Sequence, residues 1–239
     1  MEFDLHLHTI ASGHGTLCTI TDMAKAASEK GLKIIGISDH GPASAAAARS
    51  AYFRGLSQAP RHRFGIELLY GAELNILDTE GNVDLDDSIL SQLDYAIISM
   101  HIPTCKPQTK AENTNAYIKA MNHPNVRFIG HPDDTRFPVD YDKLLEAAVK
   151  HQVMLEINNR SLAPDSYRGD TRSNIAAILN LSKQYQYPLL LSSDSHGTEQ
   201  LGDFRYILEI LHQTDFPEHL ILNHSAEKLK TFLYPKTDA

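Results

Sequence analysis

Two histidines separated by one residue stand at the end of the first apolar run of this sequence. The run Phe3-Asp4-Leu5-His6-Leu7-His8 is predicted to form a buried strand, and successive side chains of a strand point to opposite faces. His6 and His8 would therefore share a face, and a rigid backbone would hold both imidazoles ready for a metal ion. Taken alone, the pair fits two hydrogen-bonded core histidines equally well.

More candidate ligands follow later predicted strands. Each one alone is more often a hydrogen-bonded residue than a ligand, but side chains without a common role should scatter over the chain. Six other histidines do scatter, and we assign them no role. The additional candidates are His14 in the first loop, His40, Glu73, His101, His131, Asp194 and His196.

The donor types in this set indicate a class of metal. Mixed imidazole and carboxylate ligands suit Zn, Mn or Fe, whereas Mg and Ca prefer oxygen alone. Two such ions about 4 Å apart can share a hydroxide, lower its pKa and stabilise charge on attacking and leaving oxygens. The residues therefore favour a hydrolytic metal site.

The elements that must position these side chains alternate between strand and helix. Such alternation predicts parallel βαβ units, and seven strands predict a barrel or a doubly wound sheet. We favour the barrel, whose site would lie at the carboxyl ends of the strands, and one domain, 1–239. Strands are predicted at 3–8, 33–38, 67–72, 95–100, 126–129, 153–157 and 187–192, and helices at 23–30, 87–92, 112–121, 141–150, 174–185, 204–212 and 226–233, with a partly helical stretch at 43–63 and a turn or hairpin at 75–85.

Composition narrows the class of protein. A hydrophobic content of 42% and a charged content of 22% are ordinary for a globular protein. The net charge of −8 disfavours long nucleic acids and acidic membranes as partners. The sequence contains no apolar run of about 18 residues, so no membrane span is predicted. The N-terminus carries Asp4 where a signal peptide would carry basic residues, so we expect a cytoplasmic protein. Cys18 and Cys105 are predicted to be ordinary packed side chains.

The successive motifs resemble those of the polymerase and histidinol phosphatase (PHP) superfamily. They occur in the family's order from residue 6 to residue 196, and two later stretches, at 156–159 and 215–217, resemble the YcdX-like phosphatase branch. The motifs are His6-Leu7-His8-Thr9, His14, Ser38-Asp39-His40-Gly41, Gly71-Ala72-Glu73, His101, Gly130-His131-Pro132 and Ser193-Asp194-Ser195-His196.

This resemblance implies a distorted seven-stranded (β/α) barrel with a centre of three metal ions. Every ligand position of the family pattern carries a competent ligand here. The resemblance assigns His6, His8, Glu73 and Asp194 to one metal, Glu73, His101 and His131 to a second with Glu73 bridging, and His14, His40 and His196 to the third.

Substrate-binding residues are predicted from the chain itself. Arg160 follows the sixth strand, the one strand end without a predicted ligand, and a guanidinium there could bind phosphate in a bidentate way. Arg136 is a second candidate. Asp133 and Asp134 could repel phosphate or orient an imidazole, and Asp39 is a candidate partner of His40.

The leading hypothesis is a metal-dependent phosphatase that acts on a small phosphomonoester. A hydroxide between the metals bridged by Glu73 would attack phosphorus, and the third metal would take a phosphate oxygen or the leaving oxygen. Two alternatives stay open, a phosphodiesterase or nuclease of the same superfamily and a metal-binding protein without turnover. A homo-oligomer is also left open.

Overall fold

The computed structural model describes residues 1–235 as an alternation of strands and helices. The strands are β1 (Phe3–Leu7), β2 (Ile34–Ile37), β3 (His62–Arg63), β4 (Ile66–Tyr70), β5 (Glu73–Asn75), β6 (Ala96–Ser99), β7 (Val126–Ile129), β8 (Met154–Asn158) and β9 (Leu190–Ser192). The helices are α1 (Ile20–Glu29), α2 (Ser50–Leu56), α3 (Asp87–Leu90), α4 (Lys110–Ala120), α5 (Tyr141–His151), α6 (Arg172–Tyr185), α7 (Arg205–Gln213) and α8 (Ala226–Leu233).

The strands form two sheets. One has the order β1-β2-β4-β3 and is parallel except for the short antiparallel strand β3. The other has the order β5-β6-β7-β8-β9 and is parallel throughout. Two isolated bridges link the sheets, Leu7 with Ser195 and His40 with Glu73. The predicted parallel α/β class is therefore confirmed, but residues 1–235 do not form one closed ladder.

The third predicted strand, 67–72, is broken in two. It ends as β4 at Tyr70, and after Gly71-Ala72 the chain continues as β5, which pairs with β6 instead of β2. A Cβ atom at Gly71 would lie 2.7 Å from a ring carbon of Tyr95. Glycine therefore lets the chain pass this buried ring while it changes sheets, and Glu73 becomes the first residue of a strand.

Two clusters of buried apolar side chains hold these layers together. The larger packs the helices against both sheets. The smaller contains Leu5 from the first sheet and Ile97 from the second, and Leu229 and Leu233 of α8 close it at one end. Because both clusters contain side chains of both sheets, apolar packing holds the two sheets against each other.

The predicted helices are found with small shifts of their ends. Helix α1 begins at Ile20, three residues before the predicted start at 23, because Thr19 forms a capping box with Asp22. In the stretch 43–63 only α2 is helical, and the predicted hairpin is present as a bridge between Ile76 and Val83. Among residues 1–235, no helix combines the length and the apolar character needed to cross a bilayer.

Candidate metal centre

The predicted ligands lie together where the two sheets meet. His6 belongs to β1 and His8 follows it, His40 follows β2, and Glu73 begins β5. The later strands β6, β7 and β9 are followed by His101, His131, and the pair Asp194 and His196. Parallel strands end on the same edge, which brings together the ligands at the ends of β1, β2, β6, β7 and β9. Glu73 joins them from the point where the chain crosses between β4 and β5.

Glu73 lies at the middle of this cluster and is completely buried. Its Oε1 is 2.9 Å from His131 Nε2 and 3.3 Å from His101 Nε2. Its Oε2 is 2.7 Å from His40 Nδ1 and 3.4 Å from His6 Nε2. The two carboxylate oxygens thus face different sets of imidazoles, as a bridging ligand requires.

Asp194 forms a second focus on the other side of His6 and His8. Its Oδ1 is 3.3 Å from His8 Nε2, 3.7 Å from His6 Nε2 and 3.8 Å from His196 Nδ1. The residue has a left-handed φ of 52°, which aspartate tolerates better than most residues. This backbone turn after β9 aims the carboxylate back at the two histidines of the first strand.

The remaining predicted ligands close the outer side of the cluster. The ring centroid of His14 is 4.9 Å from that of His40 and 5.3 Å from that of His196. The rings of His8 and His196 are 4.2 Å apart. His14 is exposed while His8 is completely buried. These histidines therefore extend from the buried end of the site to the protein surface.

Several buried atoms of the cluster have no hydrogen-bond partner among the described residues. They are His6 Nε2, His8 Nε2, and the pair His40 Nδ1 and Glu73 Oε2, which lie 2.7 Å apart but not in hydrogen-bonding geometry. A buried polar atom without a partner costs roughly 1–3 kcal/mol, unless something else occupies its lone pair. Nitrogen and carboxylate donors that converge in this way fit transition-metal ions, and this is the observation that supports a metal centre.

Three subsets have donor atoms within 4.8 Å of one another: His6, His8 and Asp194; His40, Glu73 and His101; and His8, His40 and His196. The first subset lies inside the predicted first metal site. The other two combine residues from different predicted sites. The assignment of individual ligands to individual ions therefore stays a prediction.

The electrostatics of the cluster keep its carboxylates charged. Burial raises the pKa of Glu73, but His40, His6 and His101 hold that pKa well below its ordinary value. Burial likewise opposes ionisation of Asp194, and His6 and Arg168 hold its pKa well below the ordinary value. Both carboxylates are thus ready to bind a cation.

The imidazoles divide into two groups. Burial lowers the pKa of His101 to about 4 and, with the nearby His196 and His40, lowers the pKa of His8 far below its usual range. Burial also acts on His6, but the carboxylates Glu156, Glu73 and Asp194 raise its pKa well above the ordinary value. A neutral imidazole is the form that binds metal, so metal binding would release the proton from His6.

Glu156 of β8 holds two of the predicted ligands and was not predicted as a site residue. Its Oε1 is 2.6 Å from His6 Nδ1, and its Oε2 accepts a hydrogen bond from the backbone N–H of His131 at 2.6 Å. The sequence predicted no metal ligand at the end of this strand, the sixth predicted one. An acidic residue inside the apolar run Met154-Leu155-Glu156-Ile157 was the signal that could have identified it.

Arg168 was also missed. Its guanidinium is 3% exposed and donates to Asp194 Oδ2 at 2.8 Å, to Ser161 Oγ at 3.1 Å and to Asn158 Oδ1 at 3.2 Å. It therefore fixes the Asp194 oxygen that points away from His8. Arg168 lies in an irregular polar loop, and no local pattern of the sequence distinguishes it from a solvated arginine.

Asp39 supports the side chain of His8 and not that of His40, its predicted partner. The Ser12 hydroxyl lies 2.8 Å from His8 Nδ1 and donates to Asp39 Oδ1 at 2.7 Å. Asp39 also accepts hydrogen bonds from the Thr9 backbone and hydroxyl and from the Tyr52 hydroxyl. The carboxylate thus orients the His8 ring through Ser12.

The two predicted substrate residues line a cavity of about 650 Å³ above the cluster. Arg160 forms a bidentate pair with Asp165, with both distances 2.9 Å. Arg136 pairs with Asp134, and its guanidinium lies 4.7 Å from the ring centroid of Tyr167. Asp134 is therefore neutralised by Arg136 and does not present a free charge to an anion, while Asp133 is completely buried.

Comparison with known proteins identifies the family. The pattern of the PHP domain matches residues 4–161. A probable phosphatase from Clostridium novyi is 38% identical over 233 residues, which cover 98% of this chain and 94% of that protein. This chain belongs to the PHP domain family. The probable phosphatase YcdX of Escherichia coli is also 38% identical to this PHP protein, over 96% of this chain and 93% of YcdX.

Solved structures agree on the fold. The histidinol phosphate phosphatase of Lactococcus lactis, crystallised with zinc, L-histidinol and phosphate, matches this PHP protein with a TM-score of 0.58 at 17% identity, over 90% of this chain and 94% of that one. A histidinol phosphatase from Listeria monocytogenes gives the same TM-score at 16% identity, over 84% of this chain and 97% of that one. At this identity the likeness concerns the fold, while the names of the sequence relatives support a phosphatase as the class of enzyme.

Proposed function

We propose that this PHP protein is a metal-dependent phosphatase that cleaves phosphomonoesters of small molecules at a centre of three divalent transition-metal ions, Zn, Mn or Fe. The proposed ligands are His6, His8, His14, His40, Glu73, His101, His131, Asp194 and His196. When bound, the ions would supply a hydroxide nucleophile at neutral pH and positive charge beside the phosphoryl oxygens.

The observation that carries this proposal is the convergence of unpartnered donors on two ionised carboxylates. His6 Nε2 and His8 Nε2 are buried without hydrogen bonds, and both face Glu73 and Asp194. Glu73 presents its two oxygens to different imidazoles, so it can hold two ions at once. Arg168, Glu156 and Ser12 keep these side chains in place before any ion binds.

The cavity supports a small substrate with one phosphate group. Its volume of about 650 Å³ lies within the roughly 300–1,000 Å³ typical of small-molecule sites. Three arginines line its wall, Arg136, Arg160 and Arg168, and each is paired with a carboxylate, so they add little net positive charge. Arg136 and Arg160 can still orient a phosphate, because pairing with Asp134 and Asp165 leaves N–H groups on each guanidinium.

We also propose that the two sheets together make one distorted barrel within a single domain. The bridges Leu7–Ser195 and His40–Glu73 and the apolar cluster shared by both sheets support this arrangement. Cytoplasmic location and assembly into a homo-oligomer stay predictions from the sequence.

The test is phosphate release from a panel of phosphomonoesters and phosphodiesters, measured with the protein loaded with Zn or Mn and with the metal-free protein. We expect turnover of monoesters that depends on added metal. A preference for diesters would favour a phosphodiesterase instead. A fully metal-loaded protein without turnover of either class would leave only a non-catalytic metal-binding protein.

A further inference from the structure

Asn75, the last residue of β5, is completely buried beside the metal centre. Its Oδ1 lies 2.8 Å from His101 Nδ1 and also accepts a hydrogen bond from Thr104 Oγ1 at 3.2 Å. Its Nδ2 donates to Asp84 Oδ2 at 2.6 Å. The amide therefore connects a carboxylate outside the cluster to the imidazole of a proposed ligand.

Asp84 decides which way this amide points. An ionised carboxylate only accepts hydrogen bonds, so Asn75 must turn Nδ2 toward Asp84 and Oδ1 toward His101. Asp84 is itself held by two backbone N–H groups, that of Asn75 at 2.9 Å from Oδ1 and that of Ala43 at 3.0 Å from Oδ2. The two backbone donors hold the Asp84 carboxylate in place, and this carboxylate in turn sets the orientation of the Asn75 amide.

The orientation of the amide then decides the tautomer of the imidazole. Because Asn75 Oδ1 can only accept a hydrogen bond, His101 must carry its hydrogen on Nδ1. The lone pair then lies on Nε2, the nitrogen that is 3.3 Å from Glu73 Oε1. The hydrogen-bond chain Asp84–Asn75–His101 therefore selects the nitrogen that faces the metal centre.

We propose that Asp84 and Asn75 are positioning residues that hold His101 with its hydrogen on Nδ1, so that Nε2 is free to bind the ion shared with Glu73. This inference rests on the proposed function, because it deepens the metal centre on which that function depends. Loss of such a partner of a ligating histidine typically lowers metal affinity or activity about 10–100-fold.

The same pair ties together two loops that carry ligands. A Cβ atom at Gly41 would lie 2.3 Å from the carboxylate oxygens of Asp84, so the residue after His40 packs directly on that side chain. Ser44 Oγ, in the same loop, is 3.1 Å from Asn75 Nδ2. Asp84 and Asn75 therefore also fix the loop after β2 relative to the loop after β6.

The first test uses the zinc-loaded wild-type protein, so its result does not depend on whether a variant folds. Nitrogen NMR of protein with ¹⁵N-labelled histidine reports which ring nitrogen carries hydrogen and which binds zinc, and His101→Gln identifies the resonances by their loss. We expect hydrogen on Nδ1 and zinc on Nε2 of His101. Hydrogen on Nε2, or zinc on Nδ1, would overturn the proposal.

The second test exchanges the two side chains. Asn75→Asp and Asp84→Asn should each weaken zinc binding about 10–100-fold, because each removes the matched donor and acceptor pair. The double variant restores an acceptor beside His101 and a donor beside that acceptor. The new amide at position 84 would, however, face the Ala43 N–H that Asp84 Oδ2 now accepts, so we expect it to regain only part of the loss. Zinc affinity is measured by competition with a chromophoric chelator.

Asp86→Asn is the matched control, since it makes the same charge change two residues away. Asp86 is exposed and its side chain caps no backbone group of α3, so zinc affinity should not change. Single variants that bind zinc like the wild type would refute the positioning role. If the zinc results agree but no phosphoester is cleaved, the proposed function fails and the positioning role stands.

Discussion

At the scale of single residues, the site is defined by which oxygen or nitrogen each side chain presents. Asp194 gives Oδ1 to the histidines and Oδ2 to Arg168. His8 gives Nε2 to the cluster and Nδ1 to Ser12. Asp194 and His8 therefore each have one atom for the metal and another fixed by a neighbour, which limits what a substitution can change.

Loss of a ligand should remove metal and activity together. We expect His8→Ala and Asp194→Asn to lower both by more than about 100-fold, beyond the effect of losing a supporting group. Asparagine suits position 194 better than alanine does, because it tolerates the left-handed φ there. Alanine would also leave the buried Arg168 unpaired, at a cost of about 3–5 kcal/mol.

Metal analysis and turnover of the purified variants check this prediction, with circular dichroism to show that they fold. Either variant with full metal content and full turnover would remove that residue from the site.

Substitutions of Arg168 and Arg160 should have different effects, because the two side chains contact different residues. Arg168→Ala should lower metal content, because Asp194 Oδ2 loses its charged donor and keeps only the Asn158 amide. Arg160→Ala should keep its metals and chiefly raise KM or lower kcat/KM, since Arg160 contacts Asp165 and the cavity but none of the proposed ligands. Metal analysis combined with steady-state kinetics distinguishes the two outcomes. Equal loss of metal in both variants would contradict this division.

At the scale of elements, the break between β4 and β5 is the feature that shapes the site. Tyr95 is completely buried, and its hydroxyl donates to the carbonyl of Leu5 at 2.6 Å. Gly71 lies against this ring, and Glu73 follows two residues later. The ring thus connects β1, which carries His6, to the point where the chain crosses to the second sheet.

A methyl group at Gly71 should destabilise this crossing. A Cβ atom there would meet the Tyr95 ring at 2.7 Å and the Tyr95 carbonyl oxygen at 2.8 Å, and overpacking of this kind costs about 1–3 kcal/mol. Gly71→Ala should lower the free energy of unfolding by that amount in a denaturant titration. Gly55→Ala is the control, because Gly55 lies in α2 with no heavy atom within 4 Å of such a Cβ. Alanine at position 55 should raise the free energy of unfolding by about 0.5–1 kcal/mol. Equal stability of the two variants would contradict the proposed role of Gly71.

At the scale of the whole molecule, the proposed metals would link the first strand to the last. His6 and His8 come from the start of the chain, and Asp194 follows the last strand, β9. An ion held between them would bind the folded chain and not the unfolded one, so it would add to global stability. The effect grows with the ratio of free metal to dissociation constant.

Removal of metal should therefore lower the melting temperature. A site at 100 times its dissociation constant adds about 2.7 kcal/mol, and for a chain of this size each kcal/mol corresponds to roughly 2–4 °C. We expect a chelator to lower Tm by roughly 5–10 °C in the wild type and by less in Asp194→Asn. An unchanged Tm after complete metal removal would show that the fold does not depend on the ions.

The sequence by itself determined the order of the elements and the set of candidate ligands. Periodicity and alternation depend on neighbouring residues, so most helices and all strands of residues 1–235 except the short β3 and β5 were predicted within a few residues. His6 and His8 share a face because strands alternate, and the other candidates except His14 were recognisable because each follows an apolar run.

Only the tertiary structure decided what surrounds those ligands. The roles of Glu156, Arg168, Asn75 and Asp84 depend on contacts between residues far apart in the chain, and no local pattern records such contacts. The division into two sheets likewise depends on the Tyr95 ring beside Gly71, which is 24 residues away in the sequence. Ligand types are thus a local property, whereas their orientation comes from packing.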